Sequence, residues 1–342
     1  MKNKPNRPRL KDVALNTGYS VNTVSRALRG MQDISEETQQ KIRAEAEKIG
    51  YYNNTLASSL RLGHTHTVAV IIPDVSNVFF SFAMEEIERR AREKGYSTIL
   101  LNTSESGIYE KEAIRTALQK NVDGIIFGPS QNSFENTKLL AASGIPFILF
   151  ARRILALDTD YVVGDDVNGG YVATKHLIEN GHKNIVMLNA FSAHNSAAQE
   201  RQDGYEKALK EYGLPLQKDL LCQISAKGNE SVEFLIPLLK RRKDVTAIFA
   251  YSDLVAWSAM GCLQENGYKI PEDISLVGFD NIRSCLNIPV PLTSVDNHNA
   301  QLAQSIWEAL LVKMKNPDTK TTCRKVMPTD LSVGKTVKNI NK

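Results

Sequence analysis

The chain predicts two architectures in series: a small all-α bundle over residues 1–50 and a larger α/β body with parallel sheets from residue 64 onward. Three observations predict it. Apolar residues recur at helical spacing through the first fifty positions. From Thr67 onward, short continuous apolar runs alternate with amphipathic stretches, the rhythm of strands buried on both faces between helices. Positive charge is concentrated at the start: residues 1–62 hold 11 Lys and Arg against 6 Asp and Glu, and the remainder holds 31 against 32.

In the bundle, Leu10, Val13 and Ala14 fall at i, i+3 and i+4 on one helical face. Gly18 stands where a tight turn needs positive φ. Ser20 caps a second helix by accepting from a free amide. There Val21, Val24 and Leu28 recur at i, i+3 and i+7. Val24 and Leu28 face the first helix, which leaves Asn22, Thr23, Ser25 and Arg26 for other contacts. Two short helices meeting at a glycine form a helix-turn-helix, whose second helix enters the major groove of duplex DNA. In that groove Asn pairs with adenine and Arg with guanine. For a third helix Ser35 is the cap, Glu36 and Glu37 suit its positive start, Ile42, Ala46 and Ile49 form the inward face, and Gly50 ends it. A plain three-helix bundle shows the same pattern. The basic charge confined to this segment favours phosphate contact instead.

Residues 51–63 join bundle to body and contain Leu56-Ala57-Ser58-Ser59-Leu60-Arg61, a helical pattern too short to be stable alone in water. The body follows in order. Val68–Ile72 is a strand, Phe80 to Lys94 an amphipathic helix, Ser97–Leu101 a strand, and residues 109–120 a helix. Gly124–Phe127 and Phe147–Phe150 are strands. A second series runs through Asn184–Leu188, Ala247–Ala250 and Ser275–Gly278. Two series predict two doubly wound units, each binding at the carboxyl ends of its strands. Asp74, Asn77, Arg152, Ser252, Asp253 and Asp280 follow strands and are the candidates there.

Several classes are disfavoured. The four cysteines, Cys222, Cys262, Cys285 and Cys323, are scattered without a Cys-x-x-Cys, so neither a zinc motif nor a disulfide framework is expected. No apolar run approaches the ~20 residues that span a bilayer. The basic start lacks the apolar stretch of a secretory signal, so a cytoplasmic location is expected. An enzyme is the first rival class, but neither nucleotide-binding glycine motif nor a Gly-x-Ser-x-Gly elbow occurs. His64 and His66 read as a surface turn rather than a metal site. A transport-type binding protein is the second rival, and the absent leader and attached basic bundle argue against it. No cofactor is expected.

Lys11-Asp12-Val13-Ala14, Val21-Asn22-Thr23-Val24-Ser25-Arg26, Ile72-Pro73-Asp74-Val75-Ser76-Asn77, Gly181-His182, Glu200-Arg201-Gln202-Asp203-Gly204-Tyr205 and Ile274-Ser275-Leu276-Val277-Gly278-Phe279-Asp280 occur in this order. Together they resemble the lactose/purine repressor (LacI/GalR) family of bacterial transcription regulators, over nearly the whole chain. The resemblance implies a helix-turn-helix DNA-binding domain (1–50), a hinge helix (51–63) and a two-lobed type I periplasmic-binding-protein-like body (64–342). Lobe 1 takes about 64–163 and 293–322, and lobe 2 about 164–290 and 323–342. It implies a homodimeric repressor on a palindromic operator, without a membrane partner, allosterically controlled by a sugar or sugar derivative between the lobes. By position Val21, Asn22, Thr23 and Arg26 are its DNA-reading residues, with Leu60 a minor-groove wedge and Ala57 beside it. Asn77, Phe79, Phe80, Arg152, Arg201, Ser252, Asp280 and Asn297 are its effector residues. Release and promotion of DNA binding by the effector are both open at this point. Four positions depart from the pattern: Arg9 replaces the usual threonine cap, Asn53 replaces the usual proline of the hinge, and Ala151 and Ser252 stand where many members keep aspartate and asparagine. The missing carboxylate beside Arg152 and Arg153 points to an anionic effector, a sugar phosphate or sugar acid.

Overall fold

The structure is a computed structural model describing residues 8–52, 63–130, 133–190, 195–224, 232–282, 291–316 and 322–341. It divides into two compact units, 1–65 and 66–342.

The first unit packs α1 (Leu10–Thr17), α2 (Val21–Leu28) and α3 (Glu36–Lys48) around Val13, Val24, Ala27 and Ile42, all fully buried. Leu28 and Ile49 close the edges of this core. Gly18 takes φ 77° at the turn, a conformation costly for any residue with a Cβ. Ser20 Oγ accepts the Thr23 N–H at 3.1 Å, and Ser35 Oγ accepts that of Thr38 at 3.3 Å. Arg9 supplies no side-chain cap, yet the Asp12 carboxylate accepts the Arg9 N–H at 2.7 Å. One half of a capping box therefore survives the loss of the threonine.

In the second unit the chain alternates strand and helix: β1 (Thr67–Ile72), α4 (Val78–Glu93), β2 (Ser97–Asn102), α5 (Gly107–Gln119), β3 (Gly124–Phe127), α6 (Phe134–Ala142), β4 (Phe147–Phe150), β5 (Tyr161–Gly164), α7 (Asp166–Glu179), β6 (Ile185–Ala190), α8 (Ser196–Glu211), β7 (Leu221–Ile224), α9 (Leu235–Arg241), β8 (Ala247–Ala250), α10 (Asp253–Glu265), β9 (Ser275–Phe279), β10 (Thr293–Asp296), α11 (Asn299–Lys315), β11 (Arg324–Met327) and β12 (Asp330–Ser332). Lobe 1 is the sheet β11-β5-β4-β3-β1-β2 and lobe 2 the sheet β12-β10-β9-β8-β6-β7. All pairs are parallel except β10 with β12. The strands read as continuous apolar runs because both faces are covered. In β1, Val68, Val70 and Ile72 enter one core with α4 and α11, while Ala69 and Ile71 enter the other with α5. This is the two-residue period of a strand dividing its side chains between two layers. Lobe 2 repeats it, with Val186 and Leu188 on one side and Ile185 and Met187 on the other. His182 is buried, bonded to Thr246 Oγ1 at 2.8 Å and to the Lys338 carbonyl at 3.0 Å, and so ties the C-terminal segment to lobe 2.

Two lobe boundaries differ from those expected. Residues 293–296 pair with β9 and belong to lobe 2, and residues 324–327 pair with β5 and belong to lobe 1. The later passages between lobes therefore fall at 297–298 and 328–329. Neither Thr-Ser-Val-Asp (293–296) nor Arg-Lys-Val-Met (324–327) is an apolar run, so the sequence pattern marks neither the strand nor the sheet it joins. Among the described residues no helix is long and apolar enough to cross a membrane.

Candidate binding cleft and nucleic-acid interface

In both lobes the cleft is built from segments just past the carboxyl ends of strands. Lobe 1 contributes the turns after β1, β2 and β4. Lobe 2 contributes those after β8 and β9, together with the start of α8. Asn77, Phe79, Phe80, Arg152, Arg201, Ser252 and Asp280 all line one cavity. Asp74, Glu105, Ala151, Ala197 and Tyr251 complete it. Asn297 does not line it. Buried behind the wall, its Nδ2 donates to Asp280 Oδ1 at 3.1 Å and fixes that carboxyl.

Local structure explains each placement. Asn77 caps α4, accepting the Phe79 N–H at 3.0 Å, so the helix starts at Val78, two residues before the predicted start. Phe79 and Phe80 meet edge to face at 5.1 Å, and Phe80 packs likewise on Phe150 at 5.9 Å. The pair is thus both core and cavity wall. Ser252 caps α10 through the Val255 N–H. Ala151 and Asp280 both hold positive φ, 62° and 98°. Such strain in non-glycine residues concentrates at functional sites.

Two buried guanidiniums dominate the electrostatics. Arg201 donates to Asp166 Oδ1 at 2.7 Å and lies 3.7 Å from Asp280 Oδ1. Its guanidinium lies over the Phe279 and Tyr251 rings, 3.6 and 4.5 Å from their centroids. Gly170 and Gly204 make the Asp166 pair possible: a Cβ on either would come within 2.1 Å of backbone on the facing helix, so α7 and α8 touch main chain to main chain. Burial works against the charge on Arg201, and Asp166, Tyr251 and Asp280 outweigh it, so the guanidinium stays charged. Burial and the neighbouring Asp166 push Asp280 up to about 7, against the lowering effect of Arg201. Near neutrality Asp280 can therefore donate as well as accept, which suits a ligand hydroxyl.

Arg152 forms a two-point pair with Glu105, Nη1–Oε2 2.9 Å and Nη2–Oε1 2.7 Å, and also donates to the Pro129 carbonyl at 3.0 Å. Arg153 turns away from the cavity to Glu200, at 2.9 Å, and Tyr161, at 3.1 Å. Both arginines thus have carboxylate partners, and the anionic effector expected from Ala151 loses its basis. Glu105 was not legible in the sequence: it lies 47 positions from its partner and reaches it through two successive left-handed residues, Ser104 and Glu105, at φ 52° and 56°.

In the first unit, Val21 and Asn22 are exposed on α2, with Arg26 one turn beyond Asn22. Arg26 is paired with Asp33, both side chains being near two-fifths exposed. Thr23 Oγ1 lies 2.8 Å from Ser20 Oγ, inside the cap, and its side chain is half-buried. Ala57 and Leu60 lie outside the described residues.

Residues 9–54 match the family described as bacterial regulatory proteins, lacI family. Residues 65–332 match that described as periplasmic binding proteins and sugar binding domain of LacI family. The chain is 32% identical over 335 residues to the HTH-type transcriptional repressor PurR of Vibrio campbellii, covering 97% of this chain and 99% of that protein. Among solved structures, the transcriptional regulator CelR–cellobiose complex is 26% identical with TM-score 0.73, over 96% of this chain and 100% of that one. A LacI family transcriptional regulator from Enterococcus faecium with bound ribose is 28% identical with TM-score 0.68, over 80% and 100%.

Proposed function

This chain belongs to the LacI family of bacterial regulatory proteins, and from that membership we propose that a polyhydroxylated, sugar-like ligand held between the lobes sets its grip on operator DNA. It is a DNA-binding transcriptional repressor, not an enzyme. It acts as a homodimer on a near-palindromic site in the cytoplasm, with α2 in the major groove. Val21 contacts a thymine methyl, Asn22 and Thr23 read base edges or backbone, and Arg26 leaves Asp33 for guanine. Ala57 and Leu60 serve the hinge in the minor groove.

The observation that carries the ligand class is the cavity wall itself. Two aromatic rings stand beside buried guanidiniums that are already neutralised and a carboxyl poised to donate or accept. Rings pack on the apolar face of a sugar, and paired polar groups bond its hydroxyls. Ribose and cellobiose in relatives of similar fold support the same class. The ligand acts by favouring one relative setting of the lobes, with a coupling of ~1–3 kcal/mol, or ~5–150-fold in DNA affinity.

Gel-shift with genomic fragments, with and without a panel of neutral sugars, tests this reading. The expected result is a retained fragment whose affinity one sugar changes, and Asp280→Ala keeps DNA binding while blunting that change. A full response in the Asp280→Ala protein removes Asp280 from the ligand site.

A further inference from the structure

We propose that Glu105 is a specificity residue of the cleft, a fixed internal counter-ion that occupies Arg152 and so excludes anionic ligands in favour of uncharged polyols. The inference rests on the cleft being the ligand site, and it names which chemical class that site refuses.

Arg152 and Glu105 are 6% and 11% exposed at the side chain, and both line the cavity. Their two parallel bonds use the fork of the guanidinium on both carboxylate oxygens. The backbone is shaped to deliver this carboxylate. Ser104 and Glu105 both sit in the left-handed region, and neither is a residue that adopts it cheaply. The turn is tied in place: the Glu105 N–H donates to the Pro73 carbonyl at 3.0 Å, the Ser106 N–H to the Thr103 carbonyl at 3.0 Å, and Asn102 Nδ2 to Ser104 Oγ at 3.1 Å. Pro73 begins the loop that presents Asp74 and Asn77, so the counter-ion and the lobe 1 wall are held as one piece.

Among the described residues that line the cleft, a phosphate or carboxylate finds no arginine without a carboxylate partner. Arg152 is held by Glu105, and Arg201 by Asp166 and Asp280. Taking Arg152 would break the buried two-point pair with Glu105, and breaking a buried ion pair is strongly unfavourable. A hydroxyl needs no such exchange, because the pair keeps unused acceptor lone pairs and the cavity keeps Asp280 beside it.

The test uses the full-length chain and inorganic sulfate as probe, followed by isothermal titration, with D-ribose in a parallel arm. Sulfate is expected to leave wild type and Glu105→Asp unsaturated in the cleft. Glu105→Gln should gain one saturable sulfate site, roughly tenfold or more tighter, the worth of one charge-assisted pair. That gain should vanish in Glu105→Gln/Arg152→Gln. Glu105→Ala gives the same reading should the amide variant unfold. The proposal is overturned if wild type binds sulfate in the cleft as tightly as Glu105→Gln, or if the gain persists without Arg152. If D-ribose and other neutral sugars all fail while the sulfate series behaves as expected, Glu105 keeps its role and the sugar reading falls. Neutral-sugar binding without a sulfate gain overturns the role of Glu105 alone.

Discussion

Asp253 is buried at the first position of α10, where Ser294 Oγ donates to its Oδ1 at 2.5 Å and the Ile282 N–H to its Oδ2 at 2.9 Å. Burial, with Asp280 adding to it, pushes its carboxyl up to about 8 despite those bonds. The folded form thus holds a proton that the unfolded chain, with an ordinary carboxylate near pH ~4, releases much earlier. Its contribution to stability is complete below that ordinary value and is lost as pH rises through about 8. Urea unfolding followed by Trp257 and Trp307 should show wild type losing stability between pH 5 and pH 8, and Asp253→Asn losing clearly less. An equal loss in both proteins would assign the slope to other groups. At this scale the sequence was half legible. Asp253 stood out as a polar residue after a strand, but its work is to hold Ser294 and the turn after β9. Glu105 did not stand out, because backbone strain leaves no mark on a lone glutamate.

The contact between α7 and α8 shows how far pattern reading reaches for an element. Gly169 and Gly170 fall within the first turns of α7, where propensity argues against helix by ~1 kcal/mol each. Tertiary contact overrides this, since only glycine lets the Arg201 carbonyl approach so closely. Gly170→Ala should therefore destabilise by ~1–3 kcal/mol, the usual range for overpacking, and weaken ligand binding through Arg201. Gly261, inside α10, is the contrasting case, because nothing lies within 4 Å of the Cβ it lacks. Gly261→Ala should stabilise by ~0.4–1 kcal/mol through the unfolded chain. Unfolding midpoints of the two variants check both signs. Strands were easier to read than these helices, since a core layer on each face dictates an apolar run whatever the detail.

For the whole molecule, the division of labour follows the division of charge. The basic excess lies in residues 1–62, while the remainder is nearly balanced and its cleft arginines Arg152 and Arg201 are paired. Affinity for a nonspecific duplex should fall at least about tenfold between roughly 50 and 200 mM salt as counterions are released. Binding of a neutral sugar should change by less than about twofold over the same range, because buried pairs are weakly screened. Anisotropy and calorimetric titrations across that range measure the two slopes, and a steep slope for the sugar would contradict the paired cleft. The two-unit order and the two sheets were legible from periodicity and charge. The exchange of strands between lobes was not, because neither β10 (Thr-Ser-Val-Asp) nor β11 (Arg-Lys-Val-Met) is an apolar run that marks a strand, and four residues do not encode a pairing partner.

Three short passages join the lobes, and side chains lace them together. Asn168 Nδ2 reaches the Thr329 carbonyl at 2.9 Å, and His298 Nε2 meets Asp330 Oδ2 at 3.0 Å. The Asn297 amide fills the place where Gly164 lacks a Cβ. A rotation of one lobe must therefore turn all three strands of the joint together, as a door turns on a single pin. A molecule seated between the lobes needs to bias only that one swing.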